Sequence, residues 1–417
     1  MTYSALHFMI HKFKTFSAAL FSIAFFVSAI AVADVAATYN SGRLEMVEGV
    51  RVVYLSGTPH EIGVQHGALL KKEINFLIKY FFEERGNIFG ATPDALATAA
   101  KILERHIPEE YVEEMRGIAE GAGVGYEKIL YSNIFLDVVS ADWVGVKPNC
   151  SNFAVLGGVT RNGDVIHGRN LDWSSDKLLV LANTVFFITP AEGVPLASVS
   201  WPGMAGTLTG INAEQISMGE MTSITSDASL DGMPFMIHLR KLLQYSTNLD
   251  DAYSILSKLP RTTGYNVLVT DGKANDGFVA ELSATRITRS APRNGVLIHT
   301  NHFLHEEMAP QQEEIVKSNG GRKTDSQYRY ERLEHLIDAN VGGIDEKSAE
   351  EFLSDKFNPE EGKISENLSN TICKGNTLQS VVMLPQSGEL YVALKTLPAP
   401  DGGYVKLKLQ LNTAGKK

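Results

Sequence analysis

The chain has 417 residues, 44% of them apolar and 21% charged, which suits one large or two moderate globular domains and excludes a disordered chain. Its formal net charge is −10 and no basic cluster interrupts it, so nucleic acid is not expected as a partner. Neither a low-complexity tract nor an internal repeat is present in the sequence.

The N-terminus reads as a secretory signal peptide over residues 1–33. Lys12 and Lys14 precede an apolar run from Phe16 to Val32, and Ala31-Val32-Ala33 before Asp34 forms a small-residue cleavage site. Ser17, Ser22 and Ser28 within the run favour removal over retention as an anchor. Losing two lysines and no acid takes the net charge from −10 to −12. The expected place is the periplasm or outside the cell, with no stable membrane span after cleavage.

In the mature chain, Leu44 to Leu55 alternates loosely and predicts one or two strands ending at Ser56-Gly57-Thr58-Pro59. Ile62, Leu69, Leu70, Ile74, Leu77, Ile78, Phe81 and Phe82 recur at helical spacing and predict a helix from His60 to Glu84. Thr92-Pro93-Asp94 starts a second helix to about His106, Pro108 a third through Ala119, and a fourth runs from Tyr126 to Val138. Residues 34–149 thus form a mainly helical segment. From Cys150 the pattern turns β-branched, with strands at 151–160 and 165–167 about the hairpin signal Arg161-Asn162-Gly163-Asp164. Further strands are predicted at 178–188, 194–200, 216–221, 265–270, 277–283, 295–299, 378–384 and 389–395. Helices are predicted at 232–245, 249–258, 309–318 and 325–338. Strand runs separated by helix blocks indicate an α+β layered fold in which 34–149 and 150–417 make one globular unit.

Cys150 opens a strand, and Arg169 and Asp172 follow one hairpin later. The thiolate is the reactive form of cysteine, and a nearby guanidinium favours it. Were Cys150 the chain terminus, its α-amine could serve as the base. Asp172 would orient that amine or the substrate nitrogen.

The stretches Asn149-Cys150-Ser151 and His167-Gly168-Arg169-Asn170-Leu171-Asp172 resemble the cysteine N-terminal-nucleophile (Ntn) hydrolases of the penicillin acyltransferase-like family, related to acid ceramidase and the choloylglycine hydrolases. Gly57-Thr58-Pro59-His60-Glu61-Ile62-Gly63-Val64-Gln65-His66-Gly67 and Glu114-Met115-Arg116-Gly117-Ile118-Ala119-Glu120-Gly121 resemble that family's propeptide-side helices. The likeness runs from about residue 45 to 395. It implies a four-layer αββα sandwich and a precursor cut between Asn149 and Cys150 into two fragments that stay associated. It also implies a small-molecule N-acyl substrate, an amide bond cleaved through an acyl-thioester, and hydrolase or acyltransferase activity. Thr300-Asn301-His302-Phe303 looks like the segment whose Asn amide stabilises the oxyanion, Asp325-Ser326-Gln327-Tyr328-Arg329-Tyr330 like the one supplying a second arginine, and Gly210-Ile211-Asn212 like a pocket-lining loop. Thr222 departs from the choloylglycine pattern, which has Asn there, so no role is carried across. Trp143, Trp173 and Trp201 are candidates for the wall of an apolar acyl pocket.

Two other readings stay open on the sequence. One is an ester or phospholipase-like hydrolase using the same nucleophile. The other is a non-catalytic exported binding protein, because Cys150 and Cys373 are the two cysteines of the chain and an exported protein commonly pairs them. His302, His305 and Glu306 lack the H-E-x-x-H spacing of a metal site, His167 reads as a strand-interior core group and Asn170 as a loop-bonding one. No cofactor is expected, since phosphate-binding and dinucleotide fingerprints are missing from the sequence.

Overall fold

A computed structural model of the chain describes residues 34–142, 149–312, 320 and 322–412, which belong to one compact unit. In chain order come β1 (Asp34–Tyr39), β2 (Gly42–Val47) and β3 (Val50–Gly57), then five helices: α1 (Pro59–Leu69), α2 (Lys71–Ile78), α3 (Pro93–Leu103), α4 (Glu109–Ala122) and α5 (Tyr126–Asp142). The hairpin β4 (Asn149–Gly157) and β5 (Gly163–Asp172) leads to α6 (Lys177–Ala182), β6 (Thr184–Pro190), β7 (Leu196–Ser200), β8 (Thr209–Asn212) and β9 (Ile216–Thr222). After α7 (Phe235–Tyr245) and α8 (Leu249–Lys258) come β10 (Tyr265–Asp271), β11 (Asp276–Leu282), β12 (Ile287–Ser290) and β13 (Val296–His299). The chain closes with α9 (Asp325–Asp338), α10 (Glu346–Leu353), a small ribbon β14 (Phe357–Asn358) and β15 (Lys363–Ile364), then β16 (Thr377–Leu384), β17 (Glu389–Ala393) and β18 (Val405–Lys408).

Two sheets carry the architecture. One has ten strands in the order β1-β2-β3-β6-β7-β8-β9-β10-β11-β12, the other six in the order β13-β4-β5-β16-β17-β18. Between them, Val52, Val185, Val199 and Ile211 of the large sheet meet Val381, Met383, Leu390 and Val392 of the small one. The other face of the large sheet, through Val53, Phe186, Met218 and Leu268, packs on helix residues including Ile62, Met115, Ile134 and Leu239. The other face of the small sheet, through Phe153, Ile166 and Val382, packs on Leu333, Ile337 and Phe352 of α9 and α10. The central strands of both sheets therefore bury both faces, and the four layers run helix, sheet, sheet, helix, as the resemblance implies.

The residue types of the stretch around α1 have structural reasons. Thr58 and Glu61 form a reciprocal capping box at the helix start. Gln65 ties the helix to β3 through both the N–H and the carbonyl of Ser56, and His66 Nε2 accepts from Gly203 N at 2.9 Å. A Cβ at Gly63, Gly67, Gly117 or Gly121 would stand 2.0–2.4 Å from a backbone oxygen of the facing helix, so α1 and α4 cross with their backbones in contact. Glu114 leaves that crossing to pair, buried, with Arg240 of α7 at 3.2 Å.

Several expected elements shift. The helix expected over 60–84 breaks at Leu70 and ends in a π-helical turn, Lys79–Glu84. The strand expected over 178–188 is instead α6 followed by β6. Asp176 caps that short helix by accepting from Leu178 N, a local bond that apolar β-branched composition does not reveal. The helical N-terminal segment also supplies three strands, of which β1 was not expected, and β3 joins β6 in parallel. Gly210-Ile211-Asn212, expected as a loop, is strand β8. The helix expected over 309–318 is a short turn, Ala309–Gln312, with 313–318 outside the described residues. The signal peptide expected over residues 1–33 also lies outside them. Among the described residues, no helix is long and apolar enough to cross a membrane.

Candidate active site

The β4–β5 hairpin sets the site. Its register places Cys150 opposite Leu171, Asn152 opposite Arg169 and Asn149 opposite Asp172. Cys150 and Arg169 therefore share the face turned toward the large sheet. There the Arg169 guanidinium reaches Cys150 Sγ at 3.7 Å. It also donates to the Glu220 carbonyl from Nε and Nη2, pairs with the Glu220 carboxylate at 3.5 Å, and donates to Thr209 Oγ1. The two sheets can approach this closely because residue 219 is glycine: a Cβ there would lie 2.3 Å from Asn152 Oδ1 and 3.0 Å from Arg169 Cδ.

Asn301 and Arg329 reach the same cysteine through its backbone. Asn301 follows β13 and accepts from Cys150 N through Oδ1 at 2.6 Å, while its Nδ2 donates to the Thr222 carbonyl at 2.8 Å. Arg329 of α9 donates to the Cys150 carbonyl, to Ser151 Oγ at 2.9 Å and to Asn301 Oδ1 at 2.9 Å. It is fully buried, whereas an arginine in the middle of a helix is ordinarily solvated. Asp325, one turn earlier, pairs with Arg329 at 2.8 Å and with Lys374 at 2.5 Å. Burial raises the Asp325 carboxyl, but these two cations bring it down to about 2. The loop bearing Asn301 is itself fixed by Ser326 Oγ, which accepts from Asn301 N at 2.8 Å and bonds His302 Nδ1.

Charge around the nucleophile runs against simple expectation. Burial pushes the Cys150 thiol up to about 12, and Arg169, which pulls it down, does not overcome that. Cys150 is 1% exposed, and its thiol is protonated at neutral pH. Burial likewise raises the Asp172 carboxyl to about 6 and the Glu220 carboxyl to about 7. Thr377 Oγ1 donates to Asp172 Oδ1 at 2.5 Å, while Asp172 Oδ2 is buried with no partner among the described residues. A buried carboxylate oxygen left open beside the Asn149–Cys150 bond is a ready acceptor for a cation formed there.

The remaining sequence candidates fall elsewhere. Asn212 is not brought to this cluster: its amide donates to the Leu243 and Ser246 carbonyls at the end of α7 and its oxygen accepts from Glu214 N and Ile216 N. His167 bonds Ser217 Oγ and Asn152 Oδ1, and burial drives its pKa to about 3, so it is a neutral core group. Asn170 donates to the Leu353 and Ile372 carbonyls. Cys150 and Cys373 are both free and buried, so the disulfide-bonded reading finds no bridge here. Trp173 and Trp201 line one apolar cavity with Leu77, Phe81, Phe89 and Phe135, its volume about 30 Å³. Trp143 lies outside the described residues.

A family model described as acyl-coenzyme A:6-aminopenicillanic acid acyl-transferase matches residues 159–396, more than half of the chain. The chain belongs to this family. The match begins just past Cys150 and takes in Arg169, Asp172, Glu220, Asn301 and Arg329. An uncharacterized protein of Archaeoglobus fulgidus is 25% identical over 382 residues, covering 80% of this chain and 62% of its own length. The 40 kDa form of the acyl-coenzyme A:6-aminopenicillanic-acid-acyltransferase of Emericella nidulans is 26% identical, over 68% of this chain and 76% of its own. An N-acylethanolamine-hydrolyzing acid amidase of Caenorhabditis elegans is 23% identical, over 61% and 71%. The chain spans 62%, 50% and 54% of the length of three curated relatives that it matches. Those of the family with named activities here are an acyltransferase and an amide hydrolase.

Glu220 is the member of this buried cluster that the sequence reading missed. The signal was available: a lone acid within Ile216-Ser217-Met218-Gly219-Glu220-Met221-Thr222, a strand buried along its whole length. Because burial holds its folded pKa near 7 against an ordinary 4.5, the folded chain binds this proton more tightly than the unfolded one. The associated stability is full below about pH 4.5 and is lost as pH rises toward 7. Glu220→Gln should therefore gain stability relative to the parent across that window, by up to about 1.4 kcal/mol per pH unit. Urea unfolding at stepped pH measures the difference, and a pH-independent difference would contradict the assignment.

Proposed function

We propose that this chain is an exported precursor that cuts itself between Asn149 and Cys150 and then works as an N-terminal cysteine amidohydrolase or acyltransferase on an N-acyl substrate. The observation that carries the reading is the 2.6 Å bond from Cys150 N to Asn301 Oδ1, made while Cys150 Sγ lies 3.7 Å from Arg169. The nitrogen that would become the α-amine and the sulfur that would attack are thus each held by a separate polar group before any cut.

In the proposed cut, Cys150 Sγ adds to the Asn149 carbonyl carbon and the C–N bond breaks. The thiol proton passes to the departing nitrogen. Water then hydrolyses the thioester, leaving a carboxylate on Asn149 and an ammonium on Cys150. The open oxygen of Asp172 would accept that ammonium. Exposure of the new terminus lifts the burial that keeps the thiol protonated, and once the ammonium, with an ordinary pKa of about 7.7–8.0, has released a proton to water, the free amine takes the proton of the thiol. In turnover the thiolate attacks the acyl carbonyl and the amine returns its proton to the leaving nitrogen. Arg329 stands beside the reacting atoms, where a preorganised donor is worth about 2.7–4 kcal/mol to an oxyanion, whereas the Asn301 Nδ2 that the resemblance gives this role donates here to the Thr222 carbonyl. The acyl group would lie against Trp173 and Trp201. Water or a second amine releases it, and an extracytoplasmic location favours water. The two fragments would remain together because β3 of the first is hydrogen-bonded inside the large sheet to β6 of the second.

Intact mass and N-terminal sequencing of the purified protein test the reading. Two co-purifying fragments are expected, one starting at Cys150. A single chain with no terminus at Cys150 would remove the proposed base.

A further inference from the structure

We propose that Phe89 sets the length of the acyl group admitted beside Cys150, as a plug that leaves its seat when a linear hydrocarbon chain enters. The inference rests on reading the Trp173 cavity as the acyl site.

The cavity has the right position and the wrong size. Trp173 follows β5 directly, next to Asp172, the register partner of Asn149, and so stands one residue from the Asn149–Cys150 level of the hairpin. Its walls are apolar apart from Ser132. The buried Trp173 indole N–H has no partner among the described residues, which is an uncommon condition for a buried donor. At about 30 Å³ the space holds little more than a water molecule's share of liquid volume.

What fills it is Phe89. The ring sits 4.1 Å from Trp173, 5.1 Å from Phe81 and 6.0 Å from Phe135, centroid to centroid. Its backbone is held at φ 50°, and among the described residues it is the one aromatic residue with positive φ. A bulky side chain in that region is a genuine outlier, sustained by what surrounds it. Here the support is local. Ile88 and Ala91 exchange both backbone bonds at 2.9 Å, and Asn87 Oδ1 accepts from Gly90 N. Gly90, exposed and at positive φ, lies inside the turn, while Gly86, also exposed and at positive φ, precedes it, and a Cβ at Gly86 would meet nothing within 4 Å. In the proposed motion the turn keeps its own shape and swings about Gly86, which withdraws the Phe89 ring from Trp173 and opens a channel lined by Phe81, Phe82 and Phe135. The stacked rings leave room for a flexible methylene chain and not for a branched or polar group.

The test uses the full chain with Phe89→Ala and Phe89→Leu, assayed on acetyl, octanoyl and hexadecanoyl amides of one aminocoumarin. Removing the ring should raise the hexadecanoyl-to-acetyl ratio of kcat/KM by about tenfold or more, with leucine between. An unchanged ratio in both variants overturns the proposal. A second arm needs no turnover: decanoate is titrated into Cys150→Ala with and without Phe89→Ala, following tryptophan emission. Tighter binding with the ring removed is expected, and equal affinities overturn the proposal. Should the parent chain hydrolyse none of the amides, the acyl-transfer reading fails, while the decanoate arm still decides the role of Phe89.

Discussion

Cys150→Ala is expected to stay in one piece under conditions that divide the parent chain, and to lose turnover of any N-acyl amide by about 10⁴-fold or more, the scale on which removing a nucleophile acts. Two separate events require the same sulfur, so both should fail together. The substitution removes only Sγ, which is buried and touches Arg169. It leaves untouched the backbone bonds from Cys150 N to Asn301 and from Arg329 to the Cys150 carbonyl. The variant should therefore fold, and its thermal transition should lie close to that of the uncut parent. Cys150→Ser sharpens the test, because it keeps a nucleophilic oxygen in place of sulfur. Slow division of that variant, with poor turnover, is the expected intermediate. Division of Cys150→Ala at the parental rate would place the cutting chemistry elsewhere.

The second large effect belongs to Arg329. Its guanidinium is fully buried and serves Cys150, Ser151, Asn301 and Asp325 at once. Arg329→Ala leaves the Asp325 carboxylate with Lys374 alone, and leaves two acceptors next to the nucleophile without a donor. Breaking a buried pair from one side costs about 3–5 kcal/mol, and the surviving Lys374 contact places the expected loss near the lower figure. Arg329→Lys retains a charge for Asp325 but lacks the planar fork that reaches several acceptors together. It should recover most of the stability and little of the self-cutting. Chemical denaturation and the fraction of cut chain, measured on the same preparations, separate these effects. A stability within about 1 kcal/mol of the parent for Arg329→Ala, with normal cutting, would contradict the contacts described.

Where sequence and structure part company, the reason is range of interaction. Capping residues mark helix starts locally, so α1, α3 and α9 begin where Thr58, Thr92 and Thr324 place them. The stretch 178–188 failed because its apolar, β-branched composition suits a buried strand and a buried short helix equally. Gly210-Ile211-Asn212 was misplaced because its partners, β7 and β9, lie across a sheet, and Asn212 serves the carbonyls ending α7. The direction of the Cys150 shift could not be read from a neighbouring arginine. It depends on how much water the thiol loses, and that is set by the large sheet closing over it.

Strand period and turn chemistry act over a few residues, so the layered α+β class, the family, and the spacing that brings Cys150, Arg169 and Asp172 onto one hairpin are legible along the chain. The grip of Asn301 and Arg329 on the Cys150 backbone, from 151 and 179 positions further on, arises in the folded packing. That packing alone decides that Glu220 faces Arg169 across the two sheets, that Asn212 does not join them, and that Phe89 fills the space beside Trp173. Those contacts join segments distant in the chain, and their energies come from exclusion of water between packed layers, a property that no local stretch of sequence carries.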